Sequence, residues 1–150
     1  MFLGEYTHSI DEKGRLTVPA RFRQLLQTEG AYLLRGLDGN LVVMLPNAFK
    51  AMLDNLSSQN STDPDVRDLR RVISGGAQHV SPDNSGRILV PGFLREEFQL
   101  GNEVKLVGIG DQFEIWSQEA WTQKRTQINE AIKQDPGKFL GVNLTSAPNE

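Results

Sequence analysis

Apolar residues along this 150-residue chain recur mostly at intervals of two, in short runs that turn residues close off. Tyr6 to Ile10 reads as a first strand, Asp11 to Gly14 as a turn, and Arg15 to Val18 as a second strand. The turn has a local cause: an Asp side chain accepts hydrogen bonds from backbone amides two residues on, and glycine supplies a positive φ. Pro19 then suits the first turn of a helix, where its missing N–H costs nothing. That helix places Phe22, Leu25 and Leu26 on one face and sends Arg21 and Gln24 elsewhere. An alternating hairpin follows, Tyr32 and Leu34 against Leu41 and Val43, through a turn at Leu37-Asp38-Gly39-Asn40. Beyond it the pattern turns helical from about Asn47 to Leu56, then polar from Ser57 to Thr62. A second helix is opened by Asp63-Pro64, an N-cap followed by proline at the first helical position.

The pattern then starts again. Asp11-Glu12-Lys13-Gly14-Arg15-Leu16-Thr17-Val18-Pro19 returns, without a gap, as Asp83-Asn84-Ser85-Gly86-Arg87-Ile88-Leu89-Val90-Pro91, 72 residues on. Of the 45 pairs from Glu5/Ala77 to Phe49/Trp121, 11 are identical, where average composition would give about three. Swaps such as Leu16/Ile88, Phe22/Leu94, Leu41/Phe113 and Val43/Ile115 preserve the apolar pattern. The second hairpin sets Val104 and Leu106 against Phe113 and Ile115 through Gly108-Ile109-Gly110-Asp111. Ser117 is expected to cap a last helix, Gln118 to Gln134, which Asp135-Pro136-Gly137 stops, and Thr145 to Glu150 is expected to fray. The expected organisation is a first half over residues 5–47, connecting helices over 48–76, a second half over 77–120 and a C-terminal helix and tail over 121–150. A short unit present twice cannot bury its apolar face alone, so the copies are expected to pack on each other.

Composition narrows the function classes. A chain of this size buries about 70% of its unfolded surface in one compact domain. With no cysteine, disulfides, thiolate metal sites and cysteine nucleophiles are excluded. The start lacks a basic region and apolar stretch of the kind a signal peptide needs, and no run reaches the roughly 20 apolar residues of a membrane span. A cytoplasmic protein is expected. The net charge of −3 is unlike the basic balance of most nucleic-acid-binding domains, but its distribution changes the picture. His8 to Arg35 holds five basic and three acidic residues, a local +2; His79 to Val107 holds three and four, a local −1. One copy is thus expected to carry the contact surface while both build the core.

Asp-x-x-Gly-Arg seen once is a turn signal. Here it occurs twice, each time followed by x-x-Val-Pro and by an arginine four residues after the proline, Arg23 and Arg95. This run resembles the SpoVT/AbrB swapped-hairpin DNA-binding domains. The tandem arrangement, the opening Met1-Phe2-Leu3-Gly4-Glu5-Tyr6 and the ending Phe113-Glu114-Ile115-Trp116 narrow the resemblance to the MraZ family, over Met1 to about Lys133. The resemblance implies a mainly β fold with peripheral helices (α+β), in which two halves form one intramolecular pseudo-dimeric swapped-hairpin barrel. It also implies self-association into a ring, and binding to double-stranded promoter DNA with direct repeats. The function implied is a nucleoid-associated transcriptional regulator, read as a repressor, of the division and cell-wall gene cluster. No enzymatic activity, cofactor, membrane or small-molecule substrate is implied. The family's Asp-x-x-x-Arg motif falls on Asp11 and Arg15 and again on Asp83 and Arg87. Its Lys-Gly-Arg falls on Lys13-Gly14-Arg15. Met44-Leu45-Pro46 departs from the family, whose members often carry an aromatic residue before that proline.

Residue chemistry supports the same positions. An arginine fork grips phosphate or guanine O6/N7 bidentately, and a lysine adds a point charge to a phosphate. Lys13 and Arg15 flank the turn glycine Gly14, with Arg21 and Arg23 following at the start of the helix. Arg87, beside Gly86, is the matching group of the second half. Its alternative role, equally weighted, is an internal ion pair with Asp83; for Arg15 the same pairing with Asp11 is the weaker reading. Asp11 and Asp83 read as turn braces, because a carboxylate repels phosphate. Arg67, Arg70 and Arg71 alternate with Asp65 and Asp68 at helical spacing and read as a solvated or interface face. His8 and His79 lack neighbouring ligands for a metal, Gly108-Ile109-Gly110 is a turn rather than a nucleotide loop, and Trp116 and Trp121 are assigned to core or subunit interface. A protein-binding adaptor and a small barrel enzyme are the rival classes. Binding independent of Lys13 and Arg15 would mark the first, and the second lacks a catalytic constellation.

Overall fold

The computed structural model describes residues 1–144, so the expected fraying of Thr145 to Glu150 lies outside the described residues. The chain divides into two compact units, Met1–Gln118 and a second from Glu119 onward. The first holds β1 (Phe2–Ser9), β2 (Arg15–Thr17), α1 (Ala20–Leu26), β3 (Ala31–Arg35), β4 (Leu41–Met44), α2 (Pro46–Ser58) and α3 (Pro64–Gly76). It continues with β5 (Gln78–Val80), β6 (Arg87–Leu89), α4 (Gly92–Glu97), β7 (Glu103–Gly110) and β8 (Gln112–Ser117). The second unit is built of α5 (Gln118–Gln134), which starts one residue before it, and a 3-10 turn at Pro136–Phe139. No helix among the described residues is long and apolar enough to cross a membrane.

Local chemistry explains most boundaries. Pro19 and Pro91 are the residues just before α1 and α4, in extended conformation, rather than members of the first turn. The Pro19 carbonyl accepts from the amides of Phe22 and Arg23, both at 2.9 Å. The Asp63 side chain accepts from the Asp65 amide at 2.9 Å and caps α3, with Pro64 in its first turn. β1 begins at Phe2, ahead of the expected Tyr6, because Phe2 is itself a core residue, fully buried.

The six-stranded antiparallel sheet has the order β1-β7-β8-β4-β3-β5, and β2 and β6 form a separate two-stranded ribbon. Exchanging each strand for its match in the other copy, β1 for β5, β3 for β7 and β4 for β8, returns the same order reversed. The β1–β7, β8–β4, β3–β5 and β2–β6 pairings all join one copy to the other, so the only pairing within a copy is its hairpin, β3–β4 or β7–β8.

The sheet is not closed, and the expected closed barrel is corrected accordingly: β1 and β5 are its two edges. One difference between the copies changes how the sheet meets the ribbon. Ile10 donates its amide to the Asn102 carbonyl at 2.8 Å and forms a bridge to Leu16, tying the sheet to the ribbon. Its match is Pro82, which has no N–H to give, and β5 ends after three residues.

One core lies between the sheet, the ribbon and helices α1 and α4. Leu16, Phe22, Leu26, Ile88 and Leu94 come from the ribbon and helices, and Leu33, Leu41, Val43, Val104, Leu106, Phe113 and Ile115 from the sheet. Its centre is aromatic: the Phe22 ring lies 5.1, 5.0 and 5.3 Å from those of Phe2, Phe113 and Tyr6, within the range of favourable aromatic pairing. A second cluster covers the other face of β3 and β4, where Leu34, Val42 and Met44 meet Phe49 of α2 and Ile73 of α3.

That second cluster corrects the expected register of the first hairpin. Tyr32 opposes Met44 and Leu34 opposes Val42, while Leu33 opposes Val43. With apolar residues on both faces, period-two alternation cannot say which face is inward. The second hairpin pairs Leu106 with Ile115 as expected, both inward. Although the repeat is ungapped, the inward phase is therefore Ala31 and Leu33 in β3 but Val104 and Leu106 in β7, a slip of one residue. The connections just before these strands also differ. The first copy turns at Gly30 with φ +70°, the second at Gln99 with φ +51°, matched to Gln27. Phe22→Ala should destabilise the chain by about 3–5 kcal/mol, read as a shift in denaturant midpoint; a loss below about 1 kcal/mol would show that the aromatic centre is not what holds the two copies together.

Candidate nucleic-acid interface

The two motif turns meet at the ribbon. In the first, Asp11 Oδ1 accepts from the amides of Lys13 at 3.0 Å and Arg15 at 2.9 Å. Its Oδ2 accepts from Arg15 Nε at 2.6 Å. The second repeats this, with Asp83 Oδ1 accepting from Ser85 and Arg87, both at 2.9 Å, and Oδ2 from Arg87 Nε at 3.1 Å. Each carboxylate is held below the usual range, chiefly by the amide of the arginine four residues on, against some desolvation and with help from the guanidinium. Asp11 and Asp83 are thus turn braces and arginine orienters at once. Both arginines form the internal pair, including Arg15, for which the sequence favoured it less.

β2 and β6 run antiparallel with Arg15 opposite Leu89, Leu16 opposite Ile88 and Thr17 opposite Arg87. Leu16 and Ile88 point into the core. The outward face is therefore Arg15, Thr17, Arg87 and Leu89, since side chains directly opposite in a ladder share a face. Arg87 Nη1 lies 3.8 Å from Asp11 Oδ2, so both guanidinium groups approach one carboxylate. Charge counting favours the first tip alone; the ribbon puts both arginines on one face. Lys13 and Arg21 are exposed, while Arg15, Arg23 and Arg87 are half-buried.

Arg23 and Arg95 are engaged inside the fold. Arg23 Nη2 donates to the Val18 carbonyl at 3.0 Å, and Arg95 Nε donates to that of Val90 at 3.0 Å. Arg23 Nε is buried with no hydrogen-bond partner among the described residues. Each guanidinium lies against the turn glycine of the other copy: a Cβ on Gly86 would overlap that of Arg23, and one on Gly14 would stand 2.9 Å from Arg95 Nε. Backbone bonds complete the exchange, Val18 N–H to the Gly86 carbonyl at 3.0 Å and Val90 N–H to that of Gly14 at 2.7 Å. Gly14 and Gly86 thus serve twice, as positive-φ turn residues (+87° and +75°) and as seats for an arginine. The sequence showed the first role; only the register between the copies shows the second.

Arg71 pairs with Asp68 at 2.9 Å, and Arg67 Nη1 donates to the Ser61 and Thr62 carbonyls, so α3 carries a solvated charged face. His79 Nε2 is 3.2 Å from the Glu29 carbonyl. Burial first, and the charge of Arg23 second, lower the pKa of His8. Trp116 is buried. Among the described residues, no three His, Asp or Glu side chains are placed to hold a metal ion.

The double role of Gly86 can be tested against Gly39, which also has positive φ but open space where a Cβ would go. Gly39→Ala should cost about 1–2 kcal/mol from backbone strain alone. Gly86→Ala should cost measurably more in the same melting experiment, because Arg23 must also leave its seat; equal costs would remove that seat from the account.

The chain matches the model of one protein family twice, over residues 1–72 and 73–139, one match to each copy, and that family is described as MraZ protein, putative antitoxin-like. It is 42% identical over 121 residues to a Roseiflexus castenholzii protein named transcriptional regulator MraZ, covering 81% of this chain and 84% of that one. Proteins of the same name from Desulfitobacterium hafniense and Heliobacterium modesticaldum are 42% and 38% identical over 144 residues, covering 96% of this chain and the whole of theirs. With a doubled motif, a doubled family match and full-length relatives that agree, the chain belongs to the MraZ family of transcriptional regulators.

Proposed function

We propose that this chain is a cytoplasmic, nucleoid-associated repressor that binds direct repeats in double-stranded promoter DNA, at the promoter of the division and cell-wall gene cluster. The observation that carries this reading is the outward face of the β2–β6 ribbon, which Arg15 and Arg87 share on a diagonal, each tied through Nε to a carboxylate. An arginine held at Nε is pre-oriented and presents its terminal nitrogens as a fork to guanine O6/N7 or to a phosphate. A two-stranded ribbon fits the major groove. Lys13 and Arg21 flank the face as phosphate contacts, which position the protein without reading sequence. Arg23 supports the site from inside, by seating the opposite turn. The reciprocal strand order supports a swapped-hairpin pseudo-dimer, with halves over residues 5–47 and 77–120.

One such face offers few contacts, so affinity must come from several copies acting together. Direct repeats call for head-to-tail subunits, and head-to-tail contacts that close form a ring. A ring presents its ribbons in series, which multiplies weak contacts when repeat spacing matches. This also reconciles an acidic chain with an anionic ligand, since a local basic face repeated around one side suffices.

The test is a mobility-shift assay with DNA from upstream of this chain's own coding sequence, against an unrelated duplex. Arg15→Ala and Arg87→Ala should each remove about 1–3 kcal/mol of discrimination per contact, a loss compounded across subunits, with little change in melting temperature. Folded Arg15→Ala protein that shifts the same DNA with unchanged affinity would sink the assignment of this face.

Light scattering should give a mass several times 16.7 kDa. Inserting about half a helical turn between repeats, about 5 of the 10–10.5 bp period, should sharply reduce binding. A stable monomer that tolerates the insertion would contradict the multivalent mechanism.

A further inference from the structure

The outward face of the ribbon carries one residue that neither charge nor turn chemistry explains. Leu89 is 56% exposed, directly opposite Arg15 and two residues from Arg87 on its own strand. The position matched to it in the first copy is Thr17, opposite Arg87. The four outward side chains therefore form a lattice with arginines on one diagonal and Thr17 and Leu89 on the other. Phe93, also exposed, stands where the first copy has Arg21. At both matched positions the second copy carries an apolar side chain where the first carries a polar one.

We propose that Leu89 is a specificity-determining residue that packs on the C5-methyl group of a thymine next to the base that Arg15 reads. The inference rests on the DNA-binding reading above and names what that face selects. A leucine offers no hydrogen bond to phosphate or base edge, and the thymine methyl is the apolar group on the major-groove wall. The charge around Leu89 favours nucleic acid as its partner: Arg15 and Arg87 flank it, Lys13 and Arg21 are exposed, and both nearby carboxylates are already paired. Spacing also fits. Residues opposite in an antiparallel ladder have Cβ atoms about 4.5–5.5 Å apart, comparable to the roughly 3.4 Å between successive bases of one strand. Arg15 and Leu89 together would therefore read a guanine and a neighbouring thymine as one step.

The experiment selects duplexes from a random synthetic pool with the full-length chain, then replaces each thymine of the winning duplex in turn by uracil, which differs only by the methyl group. At one thymine adjacent to a guanine, removal of the methyl should weaken binding by wild-type protein about fourfold, the factor set by burying one methyl-sized group. Leu89→Ala should bind the unaltered duplex more weakly by a similar factor and be indifferent to uracil at that position. Leu89→Met should restore the sensitivity. If no uracil substitution distinguishes wild type from Leu89→Ala, the inference is overturned, while loss of binding in Arg15→Ala would leave the DNA-binding reading standing. A uniform loss in Leu89→Ala accompanied by a changed mass in light scattering would also overturn it, by making Leu89 a contact between copies. A pool that yields no enriched sequence would overturn both readings.

Discussion

Everything in the first unit depends on hydrogen-bond exchange between the two copies of the repeat. Four of the six strand pairings cross from one copy to the other, so separating them would leave β1, β2, β5 and β6 with unpaired amides and carbonyls. An unpaired backbone group buried away from water costs about as much as a lost hydrogen bond or more. The core has the same dependence, since Phe2 and Phe22 of the first copy enclose Phe113 of the second. Phe2 pairs in register with Gly110, a contact between near-opposite ends of the unit. The copies must therefore fold together, because neither buries enough surface or satisfies enough backbone alone.

The same exchange creates the candidate site. Two turns far apart in sequence become neighbours only because β2 and β6 pair, and the arginine after each proline then seats on the opposite turn glycine. Arg23 and Arg95 act as reciprocal locks, while Asp11 and Asp83 hold the outward arginines by the same bonds that shape the turns. One set of residues thus sets both the turn conformation and the direction in which the arginines point.

Symmetry stops where the copies have separate tasks. Helices α2 and α3 cover the outer face of β3 and β4, giving those strands apolar residues on both sides. Ile10 joins sheet to ribbon through its amide and a bridge to Leu16, and the matched Pro82 has no amide to give. Thr17 and Arg21 have become Leu89 and Phe93. Each departure alters the periphery and leaves the exchanged pairings in place, as expected if those pairings are what the fold cannot lose.

Much of this is legible in the sequence alone. Turn chemistry at Asp11-x-x-Gly14 and Asp83-x-x-Gly86, the cap at Asp63-Pro64 and the ungapped doubling are local properties, so residue order determines them. The doubling also implied that the copies pack on each other, and the motif singled out Arg15 and Arg87. Three things lay beyond reach. The inward phase of β3 was ambiguous because Tyr32, Leu33 and Leu34 are all apolar, and only helices from another part of the chain decide which side is core. The open sheet is a matter of which strands pair, leaving β1 and β5 as edges, and no local pattern states that. Charge counting along the chain favours the first copy for the contact surface and leaves Arg87 between a DNA contact and an ion pair with Asp83. The shared face of Arg15 and Arg87 exists only in the ladder between strands 72 residues apart: sequence sets what each turn is, and pairing sets what stands beside it.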